Sequence, residues 1–343
     1  MTDKSQPLAD VADDARVSET PLVDKGFASV RKIGNGLYAT ISDMSKGNTT
    51  VCNGGFLVGR DAALLLEGFA TPAGASFQMD ALRMVSQAPV KAALDTHYHL
   101  DHSMGNVFYG TRGIEVWAHP AVARRMVDSY TPLQGADRAA VLGPFEKLMK
   151  DAKSEVERAH AQSDLNVFTT IFQLANVSVL TVPNRPLDPV KLPMKVELGG
   201  LTAVIESYPG HSGTDMVVRV PEQNVVYTGD LLANGWYPAC LDEKTTLSGW
   251  RATLKTFASW DQDTLFVPGH GQLCGQRGIA TALKVFDDIA EQAGKMFKAG
   301  VPAEEAQHRY VVPKEFNNFF VFSWGFTIGP AITNLYAEWR EEK

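Results

Sequence analysis

Within Thr96-His97-Tyr98-His99-Leu100-Asp101-His102, three of the chain's eight histidines and one aspartate fall inside six residues. Imidazole and carboxylate are ligands of zinc, and also of iron or manganese. His97 and His99 are two apart, so an extended backbone points both to one side. Asp101 and His102 follow as the chain turns, and face the same space from another angle. Buried polar groups seldom cluster without partners. Four ligand-type residues in six therefore argue for a bound ion over a group of satisfied histidines.

Three later residues extend the set. His211 lies in Pro209-Gly210-His211-Ser212-Gly213, Asp230 in Thr228-Gly229-Asp230, and His270 in Pro268-Gly269-His270-Gly271. Each follows an apolar run that reads as a strand. Each is flanked by glycine, which lets backbone approach closely and adopt positive φ. Trp236 and Tyr237 come just after Asp230 and, with Ser212, are candidates for lining a substrate pocket. Tyr98 alternates away from His97 and His99 and reads as packing. His160 and His308 read as surface residues, His119 as structural, and Cys52 as a small buried apolar residue.

These groups need strand ends to carry them. Residues 37–42, 49–59 and 61–69 are short apolar runs, with a turn at Gly59-Arg60-Asp61. A helix is expected over 74–87, a strand over 91–96, a strand over 114–119 and a helix over 121–129. Residues 132–176 read as helical and charged on one face, and Pro183, Pro186, Pro189 and Pro193 mark a linker. Strands return at 201–207, 215–220, 224–229 and 264–269, with helices over 248–260 and 279–300. Two batches of strands, each interleaved with helices, give an α/β layered class.

Composition bounds the answer. The chain has 343 residues, 45% hydrophobic and 21% charged, enough for two domains or one large α/β domain. Lys+Arg 32 against Asp+Glu 39 leaves a net charge of −7, which counts against nucleic acid or an anionic membrane as partner. Three scattered cysteines make no disulfide framework. Residues 319–337 are uncharged but interrupted by polar residues, glycine and proline, and read as a buried loop with a C-terminal helix or an oligomer contact rather than a membrane span. The polar N-terminus shows no signal peptide. The chain as given is expected in the cytoplasm, or in the periplasm or outside the cell if a signal peptide has been removed.

The order H-x-H-x-D-H, G-H-S, T-G-D, P-G-H, from about Asn35 to Gly271, resembles the metallo-β-lactamase superfamily. The resemblance implies a four-layer αβ/βα sandwich with a two-metal site at one edge. It divides the chain into a polar arm, 1–27, and a single domain, 28–343, with a helical insertion at about 132–190 and C-terminal helices. One metal would take His97, His99 and His211, the second Asp101, His102 and His270, with Asp230 bridging. The expected cofactors are two Zn2+, with Fe or Mn as other candidates. A water shared by the metals, its pKa lowered toward neutrality, would attack a carbonyl, with Asp101 or Asp230 shuttling the proton. The bond opened would be a carboxylic ester, lactone, thioester or β-lactam-like cyclic amide in a small molecule. Zinc β-lactamases of this family carry Cys or Ser at the Asp230 position, whereas glyoxalase II and lactonases carry Asp. The rival readings are a mononuclear iron persulfide dioxygenase, a phosphodiesterase and a non-enzymatic metal-binding protein. A homo-oligomer is compatible with the sequence.

Overall fold

Apolar side chains alternate between two buried faces along most strands, and that alternation builds the layers. In the strand Ala63–Leu66, Leu64 and Leu66 point one way and Ala63 and Leu65 the other, all buried. In Met216–Val220, Met216, Val218 and Val220 face inward while Val217 faces outward. Sheets covered on both sides need such continuous apolar runs.

The structure, a computed structural model, describes residues 14–341 apart from 241, 243 and 244. Among these residues the first sheet runs β1 (Val23–Asp24), β2 (Ala28–Gly34), β3 (Leu37–Ser42), β4 (Gly54–Val58), β5 (Ala63–Leu66), β6 (Val90–Leu94), β7 (Val116–Ala118), β8 (Arg185–Pro186), paired in that order. Pairing is antiparallel up to β5 and parallel from β5 to β8. The second sheet holds β9 (Met194–Glu197), β10 (Thr202–Ser207), β11 (Met216–Val220), β12 (Val225–Ala233) and β13 (Leu265–His270), in the order β13-β12-β11-β10-β9. Only β12 and β13 are parallel there, so both end at the same edge.

Helices cover the outer faces. Thr71 caps α1 (Pro72–Val85), accepting from Gly74 N, and Pro72 starts the helix where a missing N–H costs nothing. Its Ala75, Met79 and Leu82 pack on Phe56, Leu65 and Ala93 of the first sheet. The short helices α2 (Leu100–Ser103) and α3 (Asn106–Gly110) carry the chain away from β6, and α4 (Val122–Tyr130) follows β7. α5 (Arg138–Asp151) and α6 (Glu155–Ala175) make the expected helical insertion, joined by stacking of Phe145 on Phe168 at 3.8 Å. On the second sheet, α7 (Leu247–Ala258), α8 (Gln276–Lys298), α9 (Ala303–Arg309) and α10 (Ile328–Glu341) gather around Val217, Val226 and Phe266. The architecture is the expected α/β sandwich.

Several expectations need correction. Of the polar arm 1–27, residues 1–13 lie outside the described residues, and the rest is held against the domain. Arg16 donates to the carbonyls of Gln223 and Asp263, at 2.9 and 2.6 Å, and β1 joins the sheet. The proline-rich linker contributes β8, paired to β7 through Trp117 and Arg185. Residues 49–53 are a loop rather than strand, and Val51 takes φ +66° there. No helix among the described residues is long and apolar enough to cross a membrane.

His160 and His308 are not free surface residues. Their Nδ1 atoms lie 3.1 Å apart and His160 stacks on Trp324 at 3.7 Å. Beside them Asp164 Oδ1 accepts from Ser323 Oγ and Gly325 N, at 2.6 and 2.9 Å, so α6 is fastened to the segment before α10. Burial and His308 hold His160 down at about 4, against the opposite pull of Asp164 and Glu157. The unfolded chain therefore binds the proton more readily between about pH 6.5 and 4, and stability falls as pH drops through that window. Melting temperatures at pH 7 and pH 5 should fall less for His160→Gln than for the wild type. Equal losses would show that this contact carries no pH dependence.

Candidate metal centre

The end of β6 feeds the first cluster. After Leu94 the chain leaves the sheet, and Met216 N donates to Thr96 O at 2.9 Å, tying the edges of both sheets together at this point. His97 and His99 flank Tyr98 in an irregular segment, and α2 then carries Asp101 and His102 in its first turn. His211 comes from the β10–β11 loop, Asp230 from within β12 and His270 from the end of β13. Pairing of β12 with β13 is shifted between Gly229 and Ala233, where Asp230 sits.

All seven side chains converge. His97 Nε2 and His211 Nε2 lie 3.0 and 2.8 Å from His99 Nδ1. Asp230 Oδ2 is 3.9 Å from His97 Nε2, 3.4 Å from His211 Nε2 and 3.3 Å from His270 Nε2. Its Oδ1 is 3.2 Å from His102 Nε2. Asp101 Oδ2 lies 3.5 Å from His102 Nε2 and 3.2 Å from His270 Nε2. Two groups result, His97/His99/His211/Asp230 and Asp101/His102/His270, each with donor atoms within 4.8 Å of one another. Asp230 reaches both.

The tautomers favour a cation over hydrogen bonds. His211 Nδ1–H donates to Ala239 O at 2.8 Å, which leaves Nε2 a lone pair. Thr96 Oγ1 donates to Glu67 Oε1 at 2.7 Å, so it accepts from His97 Nδ1–H at 3.0 Å and leaves that Nε2 a lone pair too. Lone pairs from these rings therefore crowd toward His99 Nδ1. Among the described residues His99 Nε2, His102 Nε2, Asp230 Oδ1 and His270 Nδ1 are buried without a hydrogen-bond partner. A tetrahedral zinc, with bonds of about 2.0–2.1 Å, sets nitrogens about 3.3 Å apart, slightly wider than the spacing here. The donor set fits a divalent metal.

Electrostatics divide the histidines. Burial pushes His97 and His99 below the ordinary imidazole range, His99 to about 3, and their imidazole neighbours add to the effect. Burial also opposes charge on His270, yet Asp230 and Asp101 outweigh it and raise that ring to about 9. Burial would raise Asp101, but His102 and His270 bring it down to about 2.

A second layer that the sequence reading missed orients these groups. Glu67, buried at the end of β5 with φ +75°, accepts from Thr96 and lies 3.2 Å from His102 Nδ1. Asn53 N donates to Gly269 O at 2.7 Å, and its Nδ2 donates to Pro268 O and Gly271 O, at 3.0 and 2.7 Å, which pins the His270 turn to the first sheet. Asp215 accepts from Ser212 N at 2.8 Å and from Ser212 Oγ at 2.7 Å, shaping the His211 loop. The signals were present as a carboxylate closing the apolar run Ala63-Leu64-Leu65-Leu66-Glu67, and an asparagine opening Asn53-Gly54-Gly55.

A cavity of about 330 Å³ opens on the cluster, lined by His99, Asp101, His211, Asp230 and His270 among others. Trp236 forms part of its wall and stacks on His270 at 4.5 Å. Tyr237 lines it by its ring only, because its hydroxyl faces Tyr310 OH at 3.2 Å. Ser212 does not line it: its hydroxyl is spent on Asp215 and Thr214. Tyr98, expected to be packing alone, lines the wall, with Arg125 behind its ring at 5.1 Å.

Two stacked sheets flanked by helices, with a His/Asp cluster at one sheet edge, define a metal-binding α/β sandwich. The family model of the metallo-beta-lactamase superfamily matches residues 47–270, and the chain belongs to that superfamily. Solved structures share the fold at low identity. A metallo-beta-lactamase from Pontibacter korlensis is 15% identical with a TM-score of 0.54, covering 76% of this chain and 99% of that one. A metallo beta lactamase from Hirschia baltica is 17% identical with a TM-score of 0.51, covering 76% and 97%. A double mutant of the sec-alkyl sulfatase PisA1 is 15% identical with a TM-score of 0.58, covering 91% of this chain and 50% of that one. No curated protein sequence matches the chain significantly.

A Cβ at Gly269 would overlap Asp230 Oδ1. Gly269→Ala should therefore displace this carboxylate and weaken zinc retention by ~10–100-fold, as losses around metal ligands do, with the far-ultraviolet circular dichroism unchanged. Zinc content equal to wild type after dialysis would contradict this placement.

Proposed function

We propose that the chain is a two-metal hydrolase, with zinc the first candidate, that opens a carboxylic ester, lactone, thioester or cyclic amide. The observation that carries this reading is the position of Asp230, whose carboxylate reaches Nε2 atoms of both donor groups. When bound, paired divalent cations acidify water and polarise a carbonyl oxygen. His97, His99 and His211 would hold one cation and Asp101, His102 and His270 the other. Asp230 would offset the repulsion between them. Asp101 Oδ2, lining the cavity beside His270 Nε2, is the carboxylate oxygen placed to pass a proton toward a leaving group. Glu67 and Thr96 fix the ring of His97, and Asn53 fixes the turn that bears His270.

Completeness of both groups favours two metals over the single iron of a persulfide dioxygenase. A sulfate ester is a second reading: the sec-alkyl sulfatase aligns over 91% of this chain, and the cavity beside the cluster has an apolar wall suited to an alkyl group.

The test is a screen of zinc-loaded and iron-loaded protein against β-lactam, lactone, ester, thioester, phosphodiester and alkyl sulfate probes, with oxygen uptake on a persulfide. Hydrolysis of a carbonyl probe by the zinc form supports the proposal. Oxygen uptake by the iron form, with no hydrolysis, defeats it. Asp230→Ala should fold and lose activity by more than the ~10–100-fold typical of an outer partner. Near wild-type turnover with two metals bound would refute the bridging role.

A further inference from the structure

Beyond the donor cluster, two of the lining aromatics turn their polar groups away from the cavity. Trp250 donates its indole N–H to Leu231 O at 2.9 Å, and the Tyr237 hydroxyl meets Tyr310, which in turn donates to Asp288 at 2.6 Å. Away from the donors, the interior is faced mainly by ring and aliphatic surface. Tyr130 and Leu133 come from the region of α4, Phe168 and Ile171 from α6, and Phe322 and Phe326 from the segment before α10. Among the described residues the lining contains neither lysine nor arginine. The nearest cation placed by a ring contact, Arg125, sits behind Tyr98, donating to Ser212 O at 2.5 Å and paired with Asp242.

Away from the donor cluster, an anionic tail would lose its hydration without finding a cationic partner among the described residues, which is costly. An uncharged hydrocarbon tail would gain by leaving water, in proportion to the area covered. At roughly 30 Å³ for each water-sized group, about 330 Å³ holds on the order of ten non-hydrogen atoms. The wall from Phe322 and Phe326 lies outside the matched family region 47–270, so it is supplied by this chain's own C-terminal segment.

We propose that the substrate carries an apolar, uncharged acyl or alkyl chain of up to about ten non-hydrogen atoms, which this cavity receives while the scissile bond faces the donor cluster. The proposal rests on the hydrolase reading for its chemistry, but the cavity's preference can be measured without turnover.

Two measurements separate the two claims. In the first, the full metal-free chain is titrated with 1-octanol, 1-butanol and octanedioate, followed by tryptophan fluorescence, since Trp236 and Trp250 line the cavity. Octanol should bind at least tenfold more tightly than butanol, and octanedioate should bind more weakly than octanol. Equal affinities, or preference for the dianion, overturn the proposal whatever the enzyme hydrolyses. In the second, the zinc-loaded chain is given p-nitrophenyl esters from acetyl to dodecanoyl. kcat/KM should climb roughly two- to fourfold per methylene, then level off near eight carbons. A flat series overturns the proposal. Hydrolysis of none, with octanol still bound, leaves the cavity's preference standing and removes the ester reading. Phe168→Trp, which narrows the cavity, should move the optimum to a shorter chain. Ile171→Ala should lower the octanoyl-to-acetyl ratio in a single preparation. An unchanged optimum and ratio in both folded variants would show that α6 does not line the tail's path.

Discussion

Five buried imidazoles, the buried Asp230 and the partly exposed Asp101 crowd into one volume, and the lone pairs assigned to His97 and His211 crowd toward a third ring. Without a counter-charge, each unpaired buried ion or polar group costs from one to several kcal/mol. Mutual hydrogen bonding cannot absorb this, because Ala239 O and Thr96 already fix the protons of His211 and His97 on the far ring nitrogens. The constraint is therefore a donor cluster suited to a divalent metal at this point. Much of the nearby architecture serves to keep the donors from relaxing apart. Glu67 holds a strained positive φ at the end of β5 so that its carboxylate can reach Thr96 and His102. Gly269 is required because a side chain there would strike Asp230.

Two sheets packed face to face, with strands ending at a common rim, make such convergence possible. β6 from one sheet and the parallel pair β12 and β13 from the other all end at the same rim. Asn53 crosses from the first sheet to grip the β13 turn, and Met216 N reaches back to Thr96 O. The donors thus stand on or just beyond the ends of these strands, while parts of the wall come from α6 and the segment 319–327. Fastening of α6 through Asp164 and the His160–Trp324 stack joins those walls to each other. The candidate metal donors are carried by the scaffold, and much of the cavity wall by the additions.

Much of this was legible in the residues. The H-x-H-x-D-H run and three glycine-flanked ligands after apolar runs named the donors, because strand period and ligand type constrain one another closely. Paired batches of strands gave the layered class. The orienting layer was not legible. Glu67, Asn53 and Asp215 are polar residues of common type, and only the fold reveals that their partners lie far away in sequence. The same holds for Ser212, whose place beside His211 suggested the cavity but whose hydroxyl is claimed by Asp215. The stacked pair His160 and His308 was invisible because the helical stretches that carry it are charged and read as solvated. β8 was missed because two residues, one of them a proline, carry no strand period.

The central claim is that the seven donors form one site for two ions. Anomalous diffraction at the zinc edge, on crystals of zinc-loaded protein, tests it most directly. The account predicts two peaks, ~3.5–4 Å apart as in other two-metal sites, one bounded by His97, His99 and His211 and the other by Asp101, His102 and His270, with Asp230 touching both. A single peak, or peaks away from these residues, would contradict it.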